Sequence, residues 1–216
     1  MRRTFSLMIA TIALGAPALY AQEVSRYDFT VFGGGAFTSS QTISNPLGNV
    51  QVGFKPGFAA GATFGQQLYK YIGGEIRYTY QKQDMKLTGN SQEATFAGNS
   101  QAIHYDILIH ATPRNAHVRP YVAVGGGVKY FSGTGDESSV QPLSDVAVLT
   151  RTSQWLGMVS FGGGVKVALS HGITFRVDVH DYLTSFPKEV IAPAPSSSVS
   201  GWLNNLVPVA GITFTF

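Results

Sequence analysis

Cysteine is absent from this 216-residue chain, which excludes thiol nucleophiles, disulfide staples and thiolate-held zinc. Charge is scarce: Asp, Glu, Lys and Arg make up 12% of the residues, about half the usual share of a globular domain. The formal net charge of +3 falls to +1 once Arg2 and Arg3 leave with an export signal, so no nucleic-acid partner is expected. Long apolar runs are missing as well. The stretch from about Phe5 to Leu14 is far shorter than the ~20 residues a spanning helix needs, and nothing after Ala21 reaches that length. Glycine and aromatic side chains take up the slack, with 25 Gly and 12% Phe, Trp and Tyr.

The N-terminus has an assignment of its own. Arg2 and Arg3, the short apolar run, and Gly15-Ala-Pro-Ala-Leu-Tyr-Ala21 form the basic, apolar and small-residue regions of a secretory signal peptide. Residues 1–21 are therefore expected to be removed after Ala21, with Ala18 as the alternative, leaving residues 22–216 as one exported domain. An exported, charge-poor chain without a spanning helix is either a periplasmic globule or meets lipid through strands.

Period-two alternation decides between them, because successive side chains of a strand point to opposite faces. It is clearest where Ile72, Gly74, Ile76, Tyr78 and Tyr80 alternate with Gly73, Glu75, Arg77, Thr79 and Gln81. Comparable stretches cover residues 27–38, 58–65, 103–110, 121–130, 155–167, 173–180 and 206–216, each near the ~9–11 residues of a tilted membrane strand. Phe32, Leu108, Leu156 and Met158 break the polar parity. The links at 39–56, 82–101, 132–153 and 185–203 are long and those at 66–71, 112–119 and 168–172 short, in strict alternation. The pattern predicts an all-β fold: a closed antiparallel up-and-down transmembrane β-barrel of eight strands. Four mobile surface loops are expected at one rim, and both termini at the other. A soluble lipocalin-like barrel would need the opposite polarity. Prolines fall in the links, among them Pro46, Pro56 and Pro142. Pro208 lies inside the last strand and is expected at the outer rim, in a bulge.

The last strand ends Gly211-Ile-Thr-Phe214-Thr-Phe216, which resembles the C-terminal assembly signal of bacterial outer-membrane barrels, with Val209 where such signals usually place a polar residue. Together with Arg119-Pro-Tyr-Val-Ala-Val-Gly-Gly-Gly127 and Arg176-Val-Asp-Val-His-Asp-Tyr182, it makes residues 27–216 similar to the OmpA-like and OmpX-like eight-stranded barrels. The resemblance implies the outer membrane of a Gram-negative-type bacterium. It also implies contact with outer-membrane lipid, recognition by the barrel assembly machinery through Gly211, Phe214 and Phe216, and an unknown extracellular ligand for the loops. No cofactor is implied. No peptidoglycan-binding domain is expected after the last strand, a departure from the family's pattern that puts the cell-wall tethering role of full-length OmpA in doubt.

Alternation also sorts the chemistry. Inward parity collects Asp28, Glu75, Asp106 and Asp178 against Arg77, Lys129, Lys166 and Arg176, with His104, His110 and His180 among them. Eight strands enclose a space that side chains fill, so a salt-bridged plug centred on Arg77, Asp106, Arg176 and Asp178 is expected, the alternative being a gate or ion path. Outward parity puts Tyr27, Phe37, Tyr78, Tyr80, Tyr105, Tyr130, Trp155, Phe214 and Phe216 in the membrane face. Tyr27, Tyr71 and Phe216 are expected at one rim, Phe37, Tyr80, Tyr130 and Trp155 at the other, and Trp202 in the last long link. Val-Gly-Gly-Gly-Val-Lys at 124–129 recurs as Phe-Gly-Gly-Gly-Val-Lys at 161–166. It lacks the spacing and helix of a phosphate loop and reads instead as lumen space and curvature. His104 and Asp106 are too unspecific a pair to predict a metal. Barrel lipases that modify lipid A place Ser two after His, and none of the five histidines has it. The expected role is structural or surface recognition, then a narrow porin for small solutes or ions, with a lipid-modifying enzyme a distant third.

Overall fold

The computed structural model describes residues 27–45, 48–89, 92–136, 143–195, 197, 199 and 201–216. The export signal, both cleavage positions, Pro46 and Pro142 lie outside these residues. The strands are β1 (Tyr27–Thr38), β2 (Gln41–Asn45), β3 (Gly48–Phe54), β4 (Gly57–Gln67), β5 (Ile72–Lys82), β6 (Met85–Gly89), β7 (Gln92–Phe96), β8 (Gly98–His110), β9 (Val118–Gly133), β10 (Ala147–Leu149), β11 (Ser153–Ser170), β12 (Ile173–Ser185), β13 (Ile191–Pro193) and β14 (Trp202–Thr215). There is no helix among the described residues. β1, β4, β5, β8, β9, β11, β12 and β14 form a closed barrel in which β1 pairs with β14, and every pairing is antiparallel. The short links at 68–71, 111–117 and 171–172 share one rim with Tyr27 and Phe216, whose backbones bond to each other at 2.9 and 3.0 Å.

Several barrel strands outrun the alternation that marks them in sequence, and they do so toward the long links. β8 starts at Gly98, β9 runs to Gly133, β12 to Ser185, and β14 starts at Trp202. Outward positions there are polar (Asn99, Gln101, Asp181, Asn204), so the polarity signal stops while the hydrogen-bonded ladder continues. Trp202 is therefore not in a link: it opens β14, opposite Ser185.

The long links are not plain loops either. β2, β3, β6 and β7 form a four-stranded sheet, and β10 pairs with β13. Their inward side chains, among them Ile43, Val52, Leu87, Phe96, Leu149 and Ile191, bury a common apolar core with Phe131, Phe186 and Leu203. Runs of three to seven residues give too few alternations to register as strands in sequence.

Pro208 corrects another expectation. It pairs with Val179 of β12 in the middle of β14, away from the rim, and no bulge surrounds it. The β1–β14 pairing lapses between Gly34↔Val209 and Phe37↔Leu206 and resumes in the same register. The missing N–H thus falls on the β1 side, where the ladder skips two rungs.

Candidate functional site: a charge layer cradled by glycine

Four of the lumenal side chains stand opposite a glycine that leaves them room. Asp106 on β8 faces Gly125 of β9, and His104 faces Gly127. Asp178 on β12 faces Gly164 of β11, and His180 faces Gly162. A Cβ at Gly162 would lie 2.7 Å from the His180 ring, and at Gly164 2.5 Å from the Asp178 Cβ. A Cβ at Gly125 would collide with the Asp106 carboxylate. The outer glycines of both Gly-Gly-Gly repeats therefore face the lumen and make space for the carboxylates and imidazoles of the neighbouring strands, while the middle glycines, Gly126 and Gly163, sit on the opposite parity.

The side chains fitted into this space form one hydrogen-bonded layer. Arg176 donates from Nη1 and Nη2 to the two Glu75 oxygens at 2.6 and 2.8 Å, and from Nε to Asp178 Oδ2 at 2.5 Å. Arg77 Nη2 donates to Asp178 Oδ1 at 2.7 Å, and Nη1 lies 3.7 Å from Glu75. Tyr121 completes the Asp178 shell at 3.0 Å. Both guanidiniums also lie over aromatic rings, Arg77 over Phe32 at 4.4 Å and Arg176 over Tyr121 at 5.0 Å. Phe32, the apparent breach of the polar parity, is thus a face for a cation to stack on. Bidentate geometry is what suits arginine to this role.

Asp106 departs from the expected arrangement. It sits between two histidines, accepting from His104 Nδ1 at 3.0 Å and lying 3.6 Å from His180 Nδ1, and it bonds to neither arginine. The tautomer of His180 follows from its neighbours. Arg77 Nη1, which can only donate, is 2.6 Å from Nε2, so Nε2 accepts and the proton sits on Nδ1. Ser160 Oγ is 3.2 Å from that same Nδ1. A ring nitrogen that carries a proton cannot take one from the hydroxyl, so the Ser160–His180 pair is not an activated nucleophile. Glu75, Asp106 and His180 do bring one potential ligand atom each within 4.8 Å, but Arg176 already grips Glu75 and Arg77 faces His180. A cation there would meet two guanidiniums.

Lys129 and Lys166 stand apart from the layer. Lys129 Nζ bonds to amide oxygens, Gln81 Oε1 at 3.1 Å and Asn205 Oδ1 at 2.7 Å, where a carboxylate was expected. Inward carboxylates are all further toward the short-turn rim, so amides are what β5 and β14 offer at its height. Asn205 was missed because β14 starts four residues before the alternation does. Lys166 pairs with Asp28 at 3.1 Å near the short-turn mouth. From that side, a void of about 10 Å³ between Gly74, Glu75, Leu108, His110 and Lys166 reaches the layer, room for about one water.

Outside, Ile76, Ile107, Phe161 and Phe175 stand exposed in a continuous apolar surface far larger than a water-soluble monomer carries. Tyr27, Phe37, Tyr78, Tyr105, Trp155, Phe214 and Phe216 are exposed on it, and Tyr80 and Tyr130 half-buried. Tyr130 packs against Trp155 at 4.8 Å and Tyr80 against Phe58 at 6.1 Å, while the Tyr105 hydroxyl lies over Gly74.

A closed eight-stranded antiparallel barrel with an apolar wall and a charged lumen is the fold of the outer-membrane β-barrels. Two solved structures share it: the Neisserial surface protein A, at 12% identity, TM-score 0.55, over 88% of this chain and 97% of that one, and the outer membrane protein AlkL in lipid bilayers, at 14% identity, TM-score 0.56, over 94% and 95%. At such identities the likeness is one of fold. No protein-family model and no curated protein matches the chain.

Proposed function

We propose that this protein is an integral outer-membrane barrel that does not conduct, and that it serves a structural or surface-recognition role through the β-structured cap built from its long links. In this reading the export signal is cleaved, the short-turn rim faces the periplasm, and the exposed apolar wall meets outer-membrane lipid. Gly211, Phe214 and Phe216 are the handle for the barrel assembly machinery, and an extracellular ligand docks on the cap. The supporting observation is the charge layer: Glu75, Arg77, Arg176 and Asp178 are all buried and joined by bonds of 2.5–2.8 Å across the lumen. Such a layer opposes ion passage, because crossing it requires breaking paired buried charges. No enzymatic activity belongs to this reading.

A narrow porin is the second reading, favoured by polar lining on both sides of the layer, with Lys129, Gln81 and Asn205 above and Asp28 and Lys166 below. Planar-bilayer recording of the refolded protein separates the two. Wild-type protein is expected to give no steady current, and Arg77→Ala a leak. Steady open-channel current before any mutation would replace the first reading with the second.

A further inference from the structure

The short-turn mouth of the barrel holds a cavity of about 760 Å³ with an excess of positive charge. Arg114, Arg119 and Lys166 line it against one acidic side chain, Asp28, and the terminal carboxylate of Phe216; Asp28 is already engaged by Lys166 at 3.1 Å and by the Thr215 hydroxyl at 2.8 Å, and Phe216 accepts from the Tyr27 backbone at 2.9 Å. Neither arginine forms a salt bridge among the described residues. Arg119 is at least nine-tenths buried, its Nη2 bonds only to Gln67 Oε1 at 3.1 Å, and its Nε has no partner. Arg114 Nη2 is buried in the short turn and equally unpartnered. His110, also buried and with neither ring nitrogen bonded, lines the narrow void just above.

Two guanidiniums that line one water-accessible mouth and have no carboxylate partner among the described residues repel each other there and favour an anion between them. The charge layer is no help, because its carboxylates are saturated by Arg77 and Arg176. We infer that this mouth is a binding site for a phosphate-type oxyanion, held between Arg114 and Arg119. A planar guanidinium presents parallel N–H donors that match two oxygens of one phosphate, and the two side chains together supply the charge a dianion needs. The volume admits more than the phosphate group alone, so either a small phosphorylated solute or a phospholipid headgroup could present it. This inference stands independently of whether the lumen conducts.

Calorimetric titration of the refolded protein in a maltoside detergent with inorganic phosphate tests it, with chloride at matched ionic strength as the blank. Saturable heat is expected with phosphate alone. Arg114→Gln and Arg119→Gln are each expected to weaken binding about tenfold, the loss of one charge-assisted contact. Lys86→Gln, on the cap at the other end of the barrel, should leave it unchanged. If Arg119→Gln fails to refold because its link to Gln67 is lost, Arg114→Gln decides alone, since it has no such link. Heat that does not saturate, that chloride reproduces, or that Arg114→Gln leaves intact overturns the inference. Repeating the titration in phosphatidylglycerol vesicles identifies the source. Loss of phosphate binding there assigns the site to lipid headgroups, and retention assigns it to a soluble phosphate.

Discussion

The barrel and its cap are built from the same alternation with opposite polarity. In the barrel wall Ile76 is 51% exposed while Arg77 beside it is 1% exposed; in the cap Leu87 is fully buried and its neighbour Lys86 faces water in an ion pair with Glu93 at 2.9 Å. The changeover happens within two residues of one strand. Lys129 points into the polar lumen, and Phe131, next on the same face of β9, joins the apolar core of the cap, with the lysine ammonium 5.0 Å from its ring. Alternation makes two faces, and what surrounds the strand at that height decides which is turned inward.

The largest expected effect breaks the barrel half of this comparison. Arg176→Ala takes both hydrogen bonds from the buried Glu75 carboxylate and leaves Asp178 to Arg77 and Tyr121, and should cost about 3–5 kcal/mol in urea unfolding. Removing Glu75 as well should recover part of the loss, and a double variant no better than the single would show that the pair does not act as a unit. In the cap the vulnerable groups are apolar: Leu87→Ala should cost about 2–5 kcal/mol through the cavity it leaves. Faster hydrogen exchange should then appear in β3, β6 and β7 while the barrel amides stay protected.

Outward positions sharpen the contrast. Ile76→Arg should cost about 2–4 kcal/mol where the wall meets mid-membrane, whereas Thr95→Arg on the outer face of the cap should stay within about 0.5 kcal/mol. Equal penalties would mean that both faces see the same solvent. The smallest effect concerns Glu93. Hydrogen bonds from Lys86 and then Lys55 hold its carboxyl below the ordinary value of 4.5. A lowered folded value means the stabilisation is complete above the unfolded value and is lost as pH falls through the folded one. Lys86→Ala should raise the Glu93 midpoint in an NMR titration; an unmoved midpoint would remove the pair from the account.

The eight barrel strands were legible in sequence because a lipid wall demands apolar residues at every second position. The inward parity likewise located Glu75, Arg77, Asp106, Arg176, Asp178 and His180. What parity cannot convey is who meets whom across the lumen. Pairing Asp106 with histidines, Lys129 with amides, and Phe32 with a guanidinium depends on relative height, which strand tilt and register set. Ser160 was invisible for the same reason: its approach to His180 crosses from one strand to the next, and a search for His-x-Ser along one strand misses it. The cap escaped because its strands are short and its outward residues polar.

The glycines opposite the charged layer bear on how wide the barrel is. Between β8 and β9, Asp106 and His104 both need a partner without a side chain, and Gly125 and Gly127 supply them only at the observed offset. A slide by two residues would set one of them against Ala123 or Lys129. Between β11 and β12 the same slide would set Asp178 or His180 against Lys166 or Ser160. A slide by one would turn the charges into lipid. In a closed sheet the offsets between neighbours accumulate into the shear, and shear together with strand number fixes tilt and diameter. The Gly-Gly-Gly repeats thus act as gauge marks, setting the circumference of the ring to the one at which its charges fit.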